Sequence, residues 1–593
     1  MIKSPYGSFR KGQLESVEFI RSNLGGFIAL KAPTGFGKTL VAILSHLDAG
    51  KVFYVVRTRN ELAPVIRELR STGTSFTMVF SGRRMCPLVF GREVPSEDFW
   101  INCKLLRMKG LCNYFTNLSR YSRKYVLKLL MELDSIDPHE IARQLVIKLS
   151  ICPFYALTSL ADDVDFIIAT YPYLFREDVY STAFADLGLE DFYIIIDEAH
   201  NLLNPQTAIS ASIDLKTASL AYEVVNALGY HDVADYLRNL IKVINGVSSD
   251  RFKRIGKELI VCEVIEGRLS DILLELKLRI LNDLMNRPEN LMRTTSPLSR
   301  LVKFLYVLNK EYVNAYGILR EDKEVHALPI SYEAVMERLR IAKGVLMMSG
   351  SLPNKELVEL IVRSDVKYLD VHKSYGPIFP EENVYYLVYT ALTTSYLRRS
   401  ERMFMDYAKL VKSIYEVNDG VTLAVYPSYE VLNEVATYLD DVNAVLNEDS
   451  RTKLSDVLNL VLRNSKLLIN AVAGGKLVEG VEFRSKDGKS LVRAIIMCGV
   501  PYPQPDDYLA DFKGGLAKYV GEDLARRIAL DMQACIKTMQ AIGRAVRSEN
   551  DKAFIVLADR RYLSKSLRDI LGINYNAITS KADEVVEKFK TFF

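Results

Sequence analysis

The sequence predicts an α/β protein with two parallel-sheet domains, the first of which carries two insertions. Short apolar runs alternate with longer amphipathic segments near both ends of the chain, as buried parallel strands alternate with the helices that cover them. This alternation lapses twice, over residues 81–160 and 204–325. At 593 residues the chain is also too long for one hydrophobic core, since single cores rarely exceed about 250–300 residues.

Composition narrows the class of protein. The chain is 49% hydrophobic and 25% charged, with a net charge of +4 and a pI of about 8.4, as expected of an ordered globular protein. This mild positive charge permits a nucleic-acid partner but does not indicate one. No apolar run reaches the length of a membrane span and no signal-peptide pattern is present, so we expect a soluble, cytoplasmic protein. Glutamine is rare, and depletion of thermolabile amides indicates a hot-growing source.

The first motif is a glycine-rich segment, Ala32–Thr39 (APTGFGKT), between an apolar run and a helix-compatible run. This order is typical of a phosphate-binding loop. Gly35 and Gly37 permit backbone conformations in which successive N–H groups turn towards a phosphate. Lys38 would reach the β- and γ-phosphates, and Thr39 would hold Mg²⁺. The alternative is an ordinary glycine-rich turn with an exposed lysine, and the first glycine of the usual pattern is replaced here by alanine.

Several polar residues lie where a ligand is expected. Gln13 precedes the loop, where its amide would read the edge of an adenine; a solvated helix N-terminus is the alternative. Arg57 and Thr58 follow the next predicted strand, and open α/β sheets bind ligands at the carboxyl ends of their strands. We therefore expect them to contact a nucleic-acid backbone, with a plain polar loop as the alternative. Tyr173 and Ser428 lie in turns after later strands and are candidates for the same interface.

Residues 81–160 predict a metal-binding insertion, because four of the seven cysteines of the chain fall within them: Cys86, Cys103, Cys112 and Cys152. No C-x-x-C pair is present, which argues against the common zinc knuckle. Proline or aromatic residues flank three of the thiols and would shield a four-thiolate iron–sulfur cluster from water. Disulfides do not suit an intracellular protein. Free buried thiols remain an alternative, as does a zinc site that includes His139, although this histidine lies in a polar run typical of a surface.

An acidic pair follows a later apolar run. Tyr193–Ile196 predicts a buried strand, and Asp197 and Glu198 come directly after it. Two adjacent carboxylates at such a position suit an Mg²⁺–ATP hydrolase, in which Asp197 would hold the metal and Glu198 would orient and deprotonate the attacking water. The alternative is the acidic start of an ordinary helix.

Residues 204–325 predict a mostly α-helical insertion. Apolar residues recur there on one helical face, and Pro288 ends the run. These residues are Leu269, Ile272, Leu273, Leu276, Ile280 and Leu284. The insertion contains no candidate catalytic residue.

A second α/β unit follows from about residue 361. It contains a glycine-rich turn with Gly480 and Glu482, and near its end the segment Gln540–Arg547. On a helix, Gln540, Arg544 and Arg547 share one face. Two guanidinium groups on that face would clamp a γ-phosphate bound by the other domain, whereas solvated helix arginines are the alternative.

These motifs, in this order, resemble those of superfamily 2 helicases, specifically the iron–sulfur XPD group. The segments that carry the resemblance are Ala32–Thr39 (APTGFGKT), Asp197–His200 (DEAH), Ser349–Pro353 (SGSLP), Glu479–Phe483 (EGVEF) and Gln540–Arg547 (QAIGRAVR). The four cysteines lie between the first two motifs, where that family keeps its cluster.

The resemblance implies two RecA-like motor domains that face each other across an ATP cleft. The expected parts are motor domain 1 (1–80, 161–203 and 326–360), an iron–sulfur domain (81–160), a helical Arch domain (204–325) and motor domain 2 (361–593). The implied cofactors are ATP, Mg²⁺ and a 4Fe–4S cluster on the four cysteines. Gly480 and Glu482 would contact ATP, and His200 and Gln540 would couple hydrolysis to domain closure.

The resemblance also implies a partner and a source. The partner would be single-stranded DNA, with fork or overhang duplexes, along which a monomer moves 5′→3′ and unwinds the duplex in DNA repair. The source would be an archaeal thermophile, in which the protein is associated with the nucleoid. Two alternatives stay open: a DNA-stimulated ATPase or translocase that does not unwind, and a redox-sensing or damage-recognition module with a vestigial motor.

Overall fold

A computed structural model describes residues 3–92, 94–185, 187–261, 263–378, 380–449, 451–479, 483–485, 488–546 and 548–593. Its strands are β1 (Phe27–Lys31), β2 (Val52–Val56), β3 (Phe76–Val79), β4 (Phe166–Thr170), β5 (Tyr193–Asp197), β6 (Ala211–Asp214), β7 (Lys253–Ile255), β8 (Val313–Leu319), β9 (Lys323–Pro329), β10 (Gly344–Ser349), β11 (Val366–Asp370), β12 (Val384–Tyr389), β13 (Val421–Tyr426), β14 (Val445–Asn447), β15 (Leu467–Val472), β16 (Val492–Met497), β17 (Ala553–Leu557) and β18 (Ala577–Thr579).

The helices that precede the second sheet fall in four groups along the chain. The first group comprises α1 (Gln13–Arg21), α2 (Lys38–His46) and α3 (Leu62–Ser71). The cysteine insertion, residues 81–160, contains α4 (Gly82–Met85), α5 (Ser96–Met108), α6 (Asn113–Thr116), α7 (Arg123–Glu132), α8 (Pro138–Leu149) and α9 (Pro153–Thr158). Then come α10 (Pro172–Phe175), α11 (Glu177–Phe184), α12 (Leu215–Ala227), α13 (His231–Asn245), α14 (Glu263–Asp283) and α15 (Pro297–Leu308). The last group is α16 (Glu333–Leu339), α17 (Lys355–Val362) and α18 (Val371–Tyr375).

The helices of the C-terminal unit alternate with its strands. They are α19 (Glu401–Val417), α20 (Tyr429–Ala436), α21 (Leu454–Arg463), α22 (Lys476–Glu479), α23 (Asp507–Val520), α24 (Glu522–Arg526), α25 (Gln533–Ile542), α26 (Lys565–Leu571) and α27 (Ala582–Phe592), with a π-helical segment, Arg527–Met532, directly before α25. No helix of the described residues is both long and apolar enough to cross a membrane.

The first sheet has seven parallel strands in the order β11-β1-β10-β5-β2-β4-β3. Its central strands are buried along their length, which explains their uniformly apolar sequences. Strands β1, β10, β5 and β2 are neighbours, so the loops that follow them lie side by side at one edge. This edge carries the phosphate-loop motif, the acidic pair and the Ser349–Pro353 motif.

One expected boundary is wrong. Residues 361–370 were expected to open the second motor domain, but β11 pairs with β1 in the first sheet. The second sheet begins only with β12. Residue patterns alone do not reveal this, because a parallel strand at a sheet edge has the same sequence character in either domain. The other expected domain limits remain predictions.

The second sheet also has seven parallel strands, in the order β14-β15-β13-β16-β17-β12-β18. Its strands β13 and β15–β17 are almost wholly buried beneath helices on both faces. Two parallel sheets of this kind confirm the predicted fold class of two RecA-like α/β domains.

The second insertion, residues 204–325, is less helical than predicted. Helix α14 confirms the amphipathic run and ends at Asp283, before Pro288. An antiparallel sheet in the order β6-β9-β8-β7 accompanies the helices, and β9 extends to Pro329, beyond the expected limit. The strands are short and join distant parts of the insertion, so local periodicity did not reveal them.

A buried ion pair joins the cysteine insertion to the second insertion, residues 204–325. Lys277 Nζ on α14 lies 2.8 Å from Asp98 Oδ1 on α5, and the two side chains are 0% and 3% exposed. The same carboxylate accepts hydrogen bonds from Ser296 N and Ser299 Oγ. Lys277 also donates to the carbonyl of Thr294. Every charge in this contact is therefore compensated, which is the condition under which a buried pair is tolerated.

Replacing Asp98 with alanine is expected to loosen this junction strongly. Lys277 would stay buried without its counter-ion, and breaking a buried pair in this way costs about 3–5 kcal/mol. Amide hydrogen exchange should show faster exchange over α5 and α14. The matched control is Glu97→Gln, because its pair with Lys303 is partly exposed. Equal protection in Asp98→Ala and wild type would contradict this account of the junction.

Candidate active site and cysteine cavity

The phosphate-loop motif has the backbone conformation that anion binding requires. Gly35 and Gly37 have φ angles of 86° and 90°, a region that favours glycine, and Gly37 is the N-cap of α2. Lys38 is the first residue of that helix and is 9% exposed. The N–H groups at the start of α2 and the positive charge of Lys38 thus belong to the same short segment, which favours binding of a phosphate there.

Gln13 braces this loop. Its Nε2 donates to the carbonyl of Phe36 at 2.6 Å, and its Oε1 accepts from the N–H of Arg10 at 2.8 Å. Arg10 in turn donates to the carbonyl of Gly35 at 2.6 Å. Gln13 is 4% exposed. Both ends of its amide are therefore occupied by the chain itself, and in this arrangement Gln13 orders the loop rather than reading an adenine.

The acidic pair lies next to the loop, at the end of β5. Tyr54 on the neighbouring β2 donates its hydroxyl to Asp197 Oδ2 at 3.0 Å, and the N–H of Glu198 donates to Oδ1 at 2.9 Å. Burial, followed by the negative charge of Glu198, raises the pKa of Asp197 above its usual range, while the nearby Lys38 lowers it. A divalent cation held at this carboxylate would favour its ionised form.

Glu198 has an unusual backbone conformation. Its φ of 48° and ψ of 45° place it in the left-handed region, which costs a residue other than glycine about 1–2 kcal/mol. Tyr171 Oη and Asn201 Nδ2 both donate to its carbonyl, at 3.1 and 2.8 Å, and hold the turn. The backbone is thus held in a costly shape that fixes the direction of a carboxylate at the predicted catalytic position.

A chain of hydrogen bonds links that carboxylate to the second domain. Ser349 Oγ donates to Glu198 Oε2 at 3.1 Å, and His200 Nδ1 lies 2.7 Å from Ser349 Oγ and 3.1 Å from Glu198 Oε2. Gln540 Nε2 lies 2.8 Å from His200 Nε2. The amide is the donor in this contact, so His200 carries its proton on Nδ1, facing Ser349 and Glu198.

These contacts also set the protonation of Glu198. Its burial favours the neutral acid, but the hydrogen bond from His200 and the charge of Lys38, with further help from Ser349, hold its pKa well below the usual range. Glu198 is therefore ionised at neutral pH and can accept a proton from water. Residues of the first domain position Glu198, and His200 connects it to Gln540 of the second domain.

The second domain places an arginine at the same cleft, but not as predicted. Helix α25 ends at Ile542, so Arg544 lies in the turn beyond the helix and does not share a helical face with Gln540. Its Nη2 donates to the carbonyl of Glu479 at 3.2 Å. The predicted residues Gly480, Glu482 and Arg547 lie outside the described residues.

A cleft of about 1370 Å³ opens between the two sheets, and both domains line it. From the first domain come Ala32, Pro33, Thr34, Arg57, Thr58, Glu198 and His200. From the second come Lys476, Glu479, Gln540, Gly543 and Arg544. The structure therefore brings Glu198, His200, Gln540 and Arg544 together around one space, which is large enough for a nucleotide.

Three of the candidate DNA contacts, Arg57, Thr58 and Ser428, already have partners within the chain. Arg57 Nη2 forms an ion pair with Glu479 Oε2 at 2.8 Å across the cleft, and Thr58 Oγ1 donates to Glu61. Ser428 caps α20 by accepting a hydrogen bond from Val431 N, and it is half-buried. The role proposed for these residues stays a prediction.

The expectation for Tyr173 is wrong. This side chain is 3% exposed and lies against Phe154, and its hydroxyl accepts a hydrogen bond from the N–H of Gly82. A ring enclosed in the core has no free face on which a base could stack. The sequence does not show that the cysteine insertion packs over this turn, and without that packing an aromatic residue there would be accessible.

The four cysteines of the insertion line one cavity: Cys86, Cys103, Cys112 and Cys152. Trp100, Phe115 and Phe154 are among the apolar residues that enclose it. All four thiols are unpaired. Within the described residues, no group of three or more His, Cys, Asp or Glu side chains is spaced to hold a single metal ion. His139 lies outside this cavity, in an edge contact with Phe80, so it does not complete a zinc site with the cysteines.

The cavity surroundings favour neutral thiols in the absence of a metal. Burial raises the pKa of Cys152 to about 12 and that of Cys103 to about 11. For Cys103 the positive charge of the nearby Arg107 works in the opposite direction and lowers the pKa. Burial likewise raises the pKa of Cys86 and Cys112. These thiols would become thiolates only with a strong local positive charge.

Sequence reasoning missed several residues that shape the two sites. Two tyrosines, Tyr54 and Tyr171, contact Asp197 of the acidic pair, and Glu479 contacts Arg57 in the cleft. The sequence patterns indicated a role for none of them. The one available signal was a tyrosine in the otherwise aliphatic and phenylalanine-containing strand β2, since a buried hydroxyl needs a partner. Arg107 gave no signal, because its partners come from separate helices.

Comparisons with known proteins agree with this architecture. A family model described as DEAD_2 matches residues 54–220, and one described as Helicase C-terminal domain matches residues 411–573. The ATP-dependent DNA helicase XPD of Sulfolobus acidocaldarius is 29% identical over 580 residues, which cover 92% of this chain and 94% of that protein. The ATP-dependent DNA helicase CHL1 of Debaryomyces hansenii is 25% identical over 611 residues, which cover 88% and 73%.

Solved structures give the same result. An XPD helicase structure aligns with a TM-score of 0.74 at 25% identity and covers 95% of this chain and 98% of its own. An apo XPD structure aligns with a TM-score of 0.66 at 23% identity and covers 96% and 99%, which supports the fold. Near-complete coverage in both directions extends over the two motor domains and both insertions. The chain is homologous to the ATP-dependent DNA helicase XPD over most of its length, with the two helicase domains that the family models describe.

Proposed function

We propose that this chain is an ATP-dependent DNA helicase that moves along single-stranded DNA and unwinds duplex. The observation that carries the proposal is the contact between His200 and Gln540, which joins the two motor domains within the cleft that also contains Glu198 and Arg544. Hydrolytic residues on one domain are thus connected to a sensor on the other. An enzyme built in this way converts the state of the nucleotide into a change in domain separation.

The residues of the cleft have distinct roles in this proposal. Lys38 and the N–H groups of the loop bind the phosphates, and Arg544 approaches the γ-phosphate from the second domain. Ionised Glu198, held by Ser349 and His200, orients the attacking water and accepts its proton. Thr39 and Asp197 would hold Mg²⁺, which neutralises phosphate charge when bound.

Domain closure follows from the same contacts. Gln540 donates to His200, and His200 contacts Glu198, so loss of the γ-phosphate changes both sides of the interface at once. Single-stranded DNA would cross both motor domains and be bound through its backbone, with Arg57, Thr58 and Ser428 as candidate contacts. Repeated opening and closing would then move the strand.

We infer that Cys86, Cys103, Cys112 and Cys152 hold a 4Fe–4S cluster. Four unpaired thiols around one apolar cavity are the donor set that such a cluster requires. Two buried donors at this cavity, Arg107 Nε and Tyr155 Oη, have no hydrogen-bond partner among the described residues. The cluster would supply an anionic acceptor for them, and its iron–sulfur bonds would join the helices α4, α5, α6 and α9.

Replacing Cys112 with serine is expected to remove iron and to abolish unwinding, while ATP turnover stimulated by single-stranded DNA largely persists. The cysteine insertion would loosen without its cluster, but no residue of the ATP cleft lies in it. Iron content and absorbance of protein purified without oxygen measure the first effect, and strand displacement and phosphate release measure the others. Cys498→Ala, in the second sheet, is the control. Iron-free wild-type protein would contradict the cluster.

A strand-displacement assay tests the function. On resemblance to the family we propose 5′→3′ movement, so a duplex with a 5′ single-stranded overhang should be unwound in the presence of ATP, and one with a 3′ overhang should not. ATP turnover without displacement of either duplex would contradict the helicase and favour a translocase. Binding of DNA without any turnover would favour a recognition module.

The cellular setting follows from the same resemblance. We propose that the protein acts as a monomer in the cytoplasm of an archaeal thermophile, in association with the nucleoid. A role in DNA repair, and in nucleotide excision repair in particular, is part of this proposal. Fork and overhang duplexes are the proposed substrates.

A further inference from the structure

Arg107 and Tyr155 form a polar pair within the apolar cysteine cavity. The guanidinium group of Arg107 lies 4.2 Å from the centre of the Tyr155 ring and 5.0 Å from that of Phe115. Both Arg107 and Tyr155 line the cavity together with the four cysteines. The two residues come from different helices, α5 and α9, so this arrangement exists only in the folded insertion.

Each of these two side chains carries a buried hydrogen-bond donor for which the described residues provide no acceptor. Arg107 Nε and Tyr155 Oη are buried and have no hydrogen-bond partner among the described residues. No described carboxylate lies within ion-pair distance of Arg107 either, although most arginines of the cysteine insertion lie near the surface. An unmet buried donor costs about 1–3 kcal/mol, and more when it is charged. The cavity therefore lacks an anionic acceptor.

The aromatic rings explain why Arg107 remains there. A guanidinium group stacked on an aromatic face is stabilised by about 0.5–2 kcal/mol and loses little further freedom when it forms a hydrogen bond. Contact with two rings also fixes the plane of the group. Its Nε–H is thereby presented in one direction rather than sampling several. This is a preorganised donor in a region of low dielectric.

We propose that Arg107 and Tyr155 donate hydrogen bonds to sulfur atoms at the cysteine cavity and raise the reduction potential of the cluster held there. This inference rests on the proposed 4Fe–4S cluster and adds a role for two residues that are not its ligands. Cys103 is a candidate acceptor, since it lies one helical turn before Arg107 on α5 and lines the same cavity as both side chains. Other acceptors would be the sulfides of the cluster.

The direction of the effect follows from charge. Reduction adds one electron from an external reductant and no proton, so the cluster with its four thiolates becomes more negative by one charge. A fixed cation and a hydrogen-bond donor nearby stabilise the more negative form more strongly. Arg107 and Tyr155 therefore favour reduction, and their loss should make reduction more difficult.

The experiment is a redox titration of the full-length protein, purified without oxygen, with dithionite and mediator dyes, followed by absorbance and electron paramagnetic resonance. Arg107→Gln removes the charge, Arg107→Lys keeps the charge but loses the planar group, and Tyr155→Phe removes only the hydroxyl. We expect the midpoint potential to fall in all three variants and to fall furthest in Arg107→Gln. Iron release to a chelator should be at least a few-fold faster in Arg107→Gln than in wild type.

Two controls separate this role from general damage. Arg120→Gln removes an exposed arginine of the same insertion, and Tyr125→Phe removes the hydroxyl of an exposed tyrosine on α7. Both should keep the wild-type potential. If Arg107→Gln does not retain iron, Tyr155→Phe supplies the measurement, since it keeps the ring that supports Arg107.

The outcomes separate a failure of the proposed cluster from a failure of the proposed role of Arg107 and Tyr155. Iron-free wild-type protein would overturn the cluster itself. Iron-loaded wild type, with unchanged midpoint potentials in Arg107→Lys and Tyr155→Phe, would overturn only the role of Arg107 and Tyr155. A lowered potential in those variants, with four cysteines still bound to iron, would support it.

Discussion

Replacing Lys38 with alanine is expected to lower ATP turnover by about 100- to 1,000-fold, the loss that follows removal of one main electrostatic contact to a reacting group. Lys38 is the first residue of α2, directly after the N-cap Gly37 of the phosphate loop. Its ammonium group would neutralise the charge of the β- and γ-phosphates. It also acts on the pKa of both Asp197 and Glu198, so its removal alters the acidic pair as well.

Phosphate release in the presence of single-stranded DNA measures this effect. The matched control is Lys51→Ala, because Lys51 is a more exposed lysine at the opposite end of the first sheet, where it pairs with Asp162. The control should keep wild-type turnover, and both variants should unfold at similar temperatures. Turnover in Lys38→Ala within a few-fold of wild type would mean that Ala32–Thr39 is not the phosphate loop.

Replacing Arg544 with alanine is expected to lower turnover by about 1,000-fold or more, because an arginine supplied across a domain interface to a transferring phosphoryl group contributes on that scale. ATP binding should change much less, since the loop of the first domain supplies most of the binding contacts. The variant should therefore separate binding from hydrolysis. This distinguishes it from Lys38→Ala, which is expected to weaken both.

Single-turnover hydrolysis and equilibrium binding of a fluorescent ATP analogue measure the two quantities. Arg463→Ala, at the exposed end of α21, removes an arginine of the same domain outside the cleft and should behave as wild type. Equal loss of binding and of hydrolysis in Arg544→Ala would indicate that Arg544 supports the fold of the cleft instead of acting on the phosphate.

The residues that follow parallel strands were the most predictable part of the site. The loop Ala32–Thr39 follows the strand β1 and Asp197 ends the strand β5, and a parallel sheet places the carboxyl ends of its strands at one edge. This geometric rule holds whatever the order of the strands. It was therefore enough to infer that the phosphate loop and the acidic pair meet, as the structure confirms.

Features that depend on strand order or on distant packing were not predictable in this way. Strand β11 joins the first sheet because it pairs with β1, and no local pattern marks that choice. Arg544 was placed on a helix because the run from Gln540 has helical spacing, whereas α25 ends two residues before it. The burial of Tyr173 is likewise not predictable, because nothing in its own segment shows which side chains cover it.

The cysteine cavity illustrates a third limit. Clustering of cysteines in the sequence indicated a shared site, and the structure places all four around one cavity. The partners of Arg107 were not foreseeable, because Phe115 and Tyr155 lie on separate short helices. Long-range packing of this kind is set by the tertiary fold and leaves no periodic trace in the sequence.

The central claim is that two domains close around one triphosphate and that each supplies part of the hydrolytic machinery. A crystal structure with a non-hydrolysable ATP analogue and Mg²⁺ tests it most directly. We expect one γ-phosphate to lie within hydrogen-bonding distance of both Lys38 and Arg544, with a water between it and Glu198. A nucleotide bound to one domain alone, with Glu198 and Arg544 directed to different spaces, would contradict the account.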